Sequence, residues 1–375
     1  MIFNSTEILS KLQSNLDTLA TTHLLQSQQK LNVIKQFIGP TLIYPFQTAQ
    51  IDLIPKSFLV KADNIIRSCV KEVLQLPADT PNSMIYTSSK YKGLSVIRAS
   101  WEAFLQQLNI NNTLKNVNDS HVNIIRNYNQ VHHKCLSALQ LKEEDGCKTV
   151  KQLGQLLREN EYTNWCSYPH KGKGVELFAE VPPANKWIVQ KKGLTSSEWR
   201  DMVKMIGMVA PVSSLLGRST STTHCRHCSE NETLPHVLGS CPQGELLRIK
   251  RHNVIRSILA NELRRKAFEV HEEVQCLAED ESTRRIDIIV INRHKSEAEI
   301  LDPTIRIERS SSQPREVDLE KKHIYEPTVP YFLEFYNLKI KFQLLVCSLG
   351  QGERFLLLFG ETNIKFVKMF RTKLY

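Results

Sequence analysis

The chain has 375 residues, 41% hydrophobic and 23% charged, and its 49 Lys and Arg against 39 Asp and Glu give a net charge of +10. That length suits two or three domains, and the positive balance favours a polyanionic partner, nucleic acid foremost, through counterion release. The cysteines number nine, odd and scattered outside one cluster, which fits a reducing compartment and not a disulfide framework. No basic segment followed by an apolar core opens the chain, and no apolar run approaches the ~18–20 residues of a membrane span. The expected setting is the nucleus after cytoplasmic synthesis, with no secretion and no membrane partner.

In chain order, Leu9, Leu12, Leu16 and Leu19, then Leu31, Ile34 and Phe37, recur at helical spacing. They predict helices over 5–38, broken at Gly39-Pro40. A second helix is expected from about Pro55 to Leu76 on Phe58, Ile65, Ile66, Val70 and Val73, with Arg67 and Lys71 turned to solvent and Pro77 as the stop. Lys92-Gly93-Leu94-Ser95-Val96 reads as a turn into a short extended piece, and 101–108 as helix again. This order resembles the thumb of non-LTR retrotransposon reverse transcriptases. The residues that carry the likeness are Ile66-Arg67, Leu76-Pro77-Ala78-Asp79-Thr80-Pro81 and Lys92–Val96, the last departing from the family's Gly-Gly-Leu-Gly at two glycines. A thumb supports a template duplex without doing chemistry. The aromatic-Ala-Asp-Asp tetrad of a polymerase palm does not occur in the sequence, so no polymerase activity is expected.

Residues 111–145 are polar and carry His121, His132 and His133. Neighbours on a helix point about 100° apart, so the adjacent pair reads as surface histidines. Lys171-Gly-Lys-Gly174 is a basic loop without the spacing or the Ser/Thr of a P-loop. Thr195-Ser-Ser-Glu198 predicts a capping box opening a helix. The span 165–218 resembles the linker of the same retrotransposon proteins.

Cys225-Arg-His-Cys228, His236 and Cys241 follow, spaced C-x2-C-x7-H-x4-C. Three thiols and an imidazole within so short a stretch suit a tetrahedral, closed, structural zinc site. His224 and His227 are expected to stay exposed and free. With Glu232-Thr233-Leu234, His236-Val237-Leu238 and Arg251-His252, the stretch resembles the C-terminal knuckle of the retrotransposons with a restriction-like endonuclease, a class that includes elements inserting into ribosomal RNA genes.

A helix is predicted over 245–266, with Leu247, Val254, Ile255 and Ile258 on one side, widened by Leu259 and Leu263. Arg251 falls inside that stripe, where it must pair, snorkel or meet a ligand. Arg285–Ile291 reads as a buried strand holding Asp287, Asn292–Glu297 as a turn, and Glu299–Ile307 as a second strand holding Asp302, with an edge or bulge at Pro303. Carboxylates in apolar strands are costly unless paired or holding a cation, and two that converge suit Mg²⁺. A helix from about Pro314 to Tyr325 supplies Lys321 and Lys322, and Asn337–Cys347 reads as a strand of the same sheet. In order, Asp287, Asp302 and Lys321 resemble the working set of the PD-(D/E)xK nucleases. Ile286 stands in place of the proline before the first aspartate, and Ile324 in place of the second lysine of a Lys-x-x-Lys-Tyr pattern.

The organisation expected is therefore α+β. Residues 1–110 are thumb-like and helical, 111–220 a helical linker, 221–244 a CCHC knuckle, and 245–375 a restriction-like endonuclease domain with a mixed sheet flanked by helices. The resemblance implies a fragment of a retrotransposon Pol protein that nicks target DNA with Mg²⁺ for target-primed reverse transcription, holding structural Zn²⁺. Target DNA and element RNA are its implied partners, and no small-molecule substrate is expected. Asp287 and Asp302 would hold the metal and Lys321 would act with them; Lys322, Tyr325 and Arg251 are alternatives or supports. Arg226, Arg248, Lys250, Arg251, His252 and Arg256 would contact nucleic acid. The competing readings are a non-catalytic, nucleic-acid-binding remnant of such an element and a purely structural zinc protein.

Overall fold

The chain divides into two units, Met1–Gly172 with Asn185–Gly207, and Lys173–Ala184 with Met208–Tyr375. The structure, a computed structural model, describes residues 3–115, 128–180, 182–191, 193–215, 222–305, 312–337 and 339–340. Among these, no helix is long and apolar enough to cross a membrane.

The first unit is helical. Helix α1 (Ser5–Thr21) buries Leu12, Leu16 and Leu19, the predicted stripe, against α2 (Lys56–Val73), which buries Phe58, Ile66 and Val70. The expected break at Gly39-Pro40 is not a break. The backbone stays helical from Ser27 to Thr48, passing through a π turn at Ile34–Ile38 and a 3-10 turn at Gly39–Leu42 whose second residue is the proline. Proline is tolerated there because the N–H it lacks would be unsatisfied in a first turn anyway.

Helix α3 (Ala99–Lys115) is started by a residue distant in sequence. The buried Asp63 carboxylate of α2 accepts from the backbone N–H of Ala99 at 2.6 Å and of Ser100 at 3.4 Å. Before it, Lys92 turns with φ of 59°, and Leu94 and Val96 donate to the carbonyls of Met84 and Ile85. Gly93 is obligatory in this turn, since a Cβ would lie 2.1 Å from the Thr87 carbonyl oxygen. The predicted capping box forms at α4 (Ser196–Ile206), where Thr195 Oγ1 accepts from Glu198 N and Glu198 Oε2 from Thr195 N. Of the three histidines in 111–145, His121 lies outside the described residues. His133 pairs with Glu143, and His132 faces the Gly146 carbonyl.

The second unit carries the sheet. Strands β1 (Glu269–Leu277), β2 (Thr283–Asn292) and β3 (Glu297–Leu301) form an antiparallel meander, and β4 (Lys339–Ile340) runs parallel to β3. β4 is the described part of the strand expected over 337–347; the rest of that span lies outside the described residues. β3 ends at Leu301, earlier than expected, because Pro303 cannot donate to a ladder.

Helix α5 (Glu245–Arg265) covers one face of the sheet, with Ile255, Leu259 and Leu263 against Ile288 and Val290. Helices α6 (Gln313–Tyr325) and α7 (Val329–Tyr336) cover the other, with Val317, Tyr325 and Phe332 against Ile289 and Ile291. The stripe of α5 is rotated from the predicted one: Leu247 and Val254 are exposed, and Ala260 and Arg256 are buried. Residues 245–250 therefore precede the part of the helix that the sheet covers.

One irregularity decides where Asp287 points. In a regular strand Ile286 and Ile288 share a face. Here Ile286 packs in the α6–α7 cluster and Ile288 in the α5 cluster. The β1–β2 ladder leaves out the pair between Glu272↔Ile288 and Val274↔Ile286, and the residue it skips, Glu273, has φ of 55°. A non-glycine residue in the left-handed region costs roughly 1–3 kcal/mol and persists only where its surroundings enforce it. The Glu273 side chain pairs with Arg256 and Arg285.

Candidate metal centres

The sequence-predicted zinc ligands come together. One donor atom from each of Cys225, Cys228, His236 and Cys241 lies within 4.8 Å of the others. Cys225 Sγ is 3.8 Å from Cys241 Sγ, and Cys228 Sγ is 3.2 Å from His236 Nε2. Two sulfurs on one tetrahedral zinc, each bonded at about 2.3 Å, stand roughly 3.8 Å apart. The donor set thus fits zinc in chemistry and in spacing, and the four residues can hold the ion.

Local structure prepares the ligands. The chain folds back through an isolated bridge, His224 with Asn231, and Cys225 N donates to the Glu230 carbonyl at 2.7 Å. The backbone N–H of His227 leads the interactions that bring the Cys225 thiol down to about 7, which favours the thiolate a metal needs. Ser240 Oγ sits 3.4 Å from His236 Nδ1, leaving Nε2 to face the sulfurs. His224 and His227 are exposed, as expected.

Glu232, which sequence reading did not assign, organises the loop. Buried, it accepts from Ser213 N and Oγ and from Arg226 N and Nη2, all at 2.9–3.1 Å. Burial works against its charge, yet these N–H and O–H donors keep its pKa below the ordinary carboxylate value.

The second centre lies at the end of the β2–β3 hairpin. The register pairs Ile288 with Leu301, and one further step sets Asp287 opposite Asp302. Asp302 is 2% exposed. An uncompensated carboxylate so deep costs several kcal/mol, and three donors compensate this one. Lys321 Nζ reaches Oδ2 at 2.7 Å, Tyr325 Oη reaches the same oxygen at 2.6 Å, and Thr304 Oγ1 reaches Oδ1 at 3.0 Å. Burial first, then the charge of Asp302, raises the pKa of Tyr325, so the phenol stays protonated and donates. Lys322 turns away to Asp318 at 2.8 Å, so Lys321 is the lysine that joins the carboxylates.

Asp287 Oδ2 meets His252 Nε2 at 3.1 Å, and this hydrogen bond leads the causes that raise the pKa of His252. The donor atoms of His252, Asp287 and Asp302 all lie within 4.8 Å of one another. Among the described residues, this triad and the Cys3His cluster are the groups able to share one metal ion.

The predicted nucleic-acid contacts are mostly engaged within the protein. Arg248 Nη1 donates to the Cys241 carbonyl at 2.7 Å, and Arg251 Nη2 to the Leu238 carbonyl at 3.3 Å, while Arg251 Nε is buried without a partner. Arg256 is buried against Glu272 and Glu273, Arg226 pairs with Glu232, and Lys250 is exposed. Arg251 therefore ties the zinc stretch to α5 and does not reach the carboxylate pair.

No protein-family model matches the chain. It is 25% identical over 253 residues to the Retrovirus-related Pol polyprotein from type-1 retrotransposable element R2 of Popillia japonica, covering 66% of this chain and 33% of that protein. It is 23% identical over 308 residues to the Retrovirus-related Pol polyprotein from type-2 retrotransposable element R2DM of Drosophila melanogaster, covering 80% of this chain and 25% of that protein. The chain is a relative of the R2 retrotransposon Pol polyproteins. It spans only part of their length, 54% of a second Popillia japonica protein. The R2DM match, at 308 residues, is longer than either structural unit, so the R2 relationship takes in both. It agrees with the resemblance to a non-LTR retrotransposon Pol protein.

Proposed function

We propose that this R2-related chain hydrolyses DNA phosphodiesters, nicking a target strand to prime reverse transcription, at a PD-(D/E)xK-type site formed by Asp287, Asp302 and Lys321. The observation that carries the reading is the meeting of Asp302 with Lys321 at 2.7 Å beside Asp287, at the end of the hairpin. A divalent ion such as Mg²⁺, held by the two carboxylates, would supply charge neutralisation at the phosphate and a more acidic bound water.

The residues of the chain do the rest. Tyr325 and Thr304 fix the Asp302 carboxylate so that it cannot rotate away from its neighbours. Lys321, held by Asp302 on a partly exposed side chain, is positioned to donate to a phosphate oxygen as charge builds there. The zinc stretch, joined to α5 through Arg248 and Arg251, holds the DNA-facing side of this unit in shape. Target DNA and element RNA are the partners, and the nucleus is the place of action.

The test is nicking of supercoiled plasmid by purified protein in Mg²⁺, wild type against Asp302→Ala. The reading requires nicking by the first and none by the second. Equal nicking by both moves the site elsewhere. Salt-sensitive DNA binding without cleavage under any divalent ion replaces the reading with that of a non-catalytic binding protein.

A further inference from the structure

The hairpin centre has a third donor that a two-carboxylate site does not need. We propose that His252 is itself a metal ligand, and that the resulting His–Asp–Asp shell takes Mn²⁺ in preference to Mg²⁺. This inference rests on reading Asp287 and Asp302 as a metal site and deepens that reading.

Placement comes first. On α5, His252 precedes Arg256, Leu259 and Leu263 by one, two and three turns, so it lies on the face that the helix turns to the sheet. Leu259 and Leu263 fix that face against Ile288 and Val290. The interrupted ladder at Glu273 brings Asp287 round to the same side, where His252 Nε2 stands 3.1 Å from Oδ2. The side chains of His252 and Asp287 are 31% and 19% exposed, and that of Asp302 is 3% exposed. This is an interior cluster with an opening, not a solvated acidic patch.

Spacing comes next. Two donors on one first-row divalent ion stand at most about twice a bond length apart, roughly 4.4 Å. The three residues offer atoms all within 4.8 Å of one another, close to that limit. Lys321 and Tyr325 both use Asp302 Oδ2, whereas Oδ1 accepts only from Thr304 among the hydrogen bonds of the described residues. A carboxylate oxygen offers two lone pairs, so Oδ1 keeps one directed acceptor position.

Donor chemistry then selects the ion. Magnesium prefers oxygen ligands and gives up water reluctantly, gaining little from an imidazole. An imidazole nitrogen beside two carboxylates favours a first-row transition ion over magnesium, and manganese is the one among them that shares magnesium's liking for carboxylate and water in the remaining positions.

The experiment uses the full chain loaded with zinc, titrated with Mn²⁺ and followed by electron paramagnetic resonance, with Mg²⁺ as competitor. Electron spin-echo modulation then reads any ¹⁴N nucleus coupled to the bound manganese. The expected result is Mn²⁺ binding that Mg²⁺ displaces only in large excess, with ¹⁴N modulation in the wild type. In His252→Gln the modulation is lost and Mn²⁺ binds more weakly by at least the roughly tenfold that losing a mere outer-shell partner costs. Asp287→Asn separates the two layers of argument. Mn²⁺ binding that Asp287→Asn weakens, without ¹⁴N modulation in the wild type, overturns the role of His252 and leaves the carboxylate site standing. Mn²⁺ binding unaffected by Asp287→Asn, or no binding, removes the site and the inference with it. Equal affinity for the two ions overturns the preference.

Discussion

Lys321 Nζ and Asp302 Oδ2 meet at 2.7 Å across 19 residues of sequence, one from a helix and the other from the residue just past a strand. The contact sets the ammonium beside the carboxylate pair and not on the solvent face where helix periodicity alone leaves it. Lys321→Ala is expected to lower the single-turnover nicking rate about 10²–10³-fold, the usual cost of one transition-state donor. Lys322→Ala, which only frees Asp318, keeps a rate near wild type. A reversal of these two outcomes assigns the role to Lys322.

Tyr325 shares that carboxylate oxygen from a buried position. Tyr325→Phe removes the hydroxyl without a change of shape and leaves Asp302 short of a donor. A hydrogen bond to a charged group contributes about 1.5–3 kcal/mol, so the unfolding free energy of the second unit in urea is expected to fall by that amount, with a correspondingly lower midpoint. An unchanged midpoint means that water replaces the phenol at no cost.

The zinc stretch and α5 are coupled through two carbonyls. Chelation is expected to release about one zinc ion per chain, and Cys228→Ser to abolish stoichiometric binding. Because Arg248 and Arg251 hold Cys241 and Leu238, metal removal should also speed amide hydrogen exchange over 245–252 while leaving β2 and β3 protected. Protection of 245–252 that survives chelation makes the stretch an independent module.

Lys35 gives a pH signature in the helical unit. Burial, and secondarily the charge of Arg158, brings its pKa from 10.5 down to about 8. The unfolded chain then binds more protons than the folded one between those values, so stability rises as pH climbs from 8 toward 10.5. An NMR titration of ¹³C-labelled lysine should show one midpoint near 8. Lys35→Met should be more stable than wild type at pH 7, with the difference shrinking over the same window. A midpoint at the ordinary lysine value contradicts the burial.

Much of the second unit was legible because its signals are local. Cys225, Cys228, His236 and Cys241 announce themselves by residue type and spacing, and Asp287 and Asp302 stand out as charges in β-branched runs. Strand β1 was not read, and its composition explains why. Glu269-Val-His-Glu-Glu-Val carries charges that make sense only beside Arg256, Arg264, Arg285 and Arg293, each contributed from elsewhere in the chain. Arg251 drew attention through its place in an apolar stripe, but its partner is a backbone carbonyl in another element, which periodicity cannot supply. The sequence groups His252 with its basic neighbours as a nucleic-acid contact. Its position beside Asp287 depends on the distortion at Glu273, and no pattern of residue types encodes that distortion.

The antiparallel register of β2 and β3 sets Asp287 across from Asp302, and Arg293–Ser296 is the whole connection between the two strands. Side chains alternate faces at every residue, so a slip of one position sends a strand's inward set outward. The four-residue connection therefore acts as a reading frame for the chemistry. An in-frame codon gained or lost there would keep the hydrophobic composition, the zinc ligands and both aspartates, yet part the carboxylates. A chain altered in this way would lose the proposed site and still carry every recognisable motif.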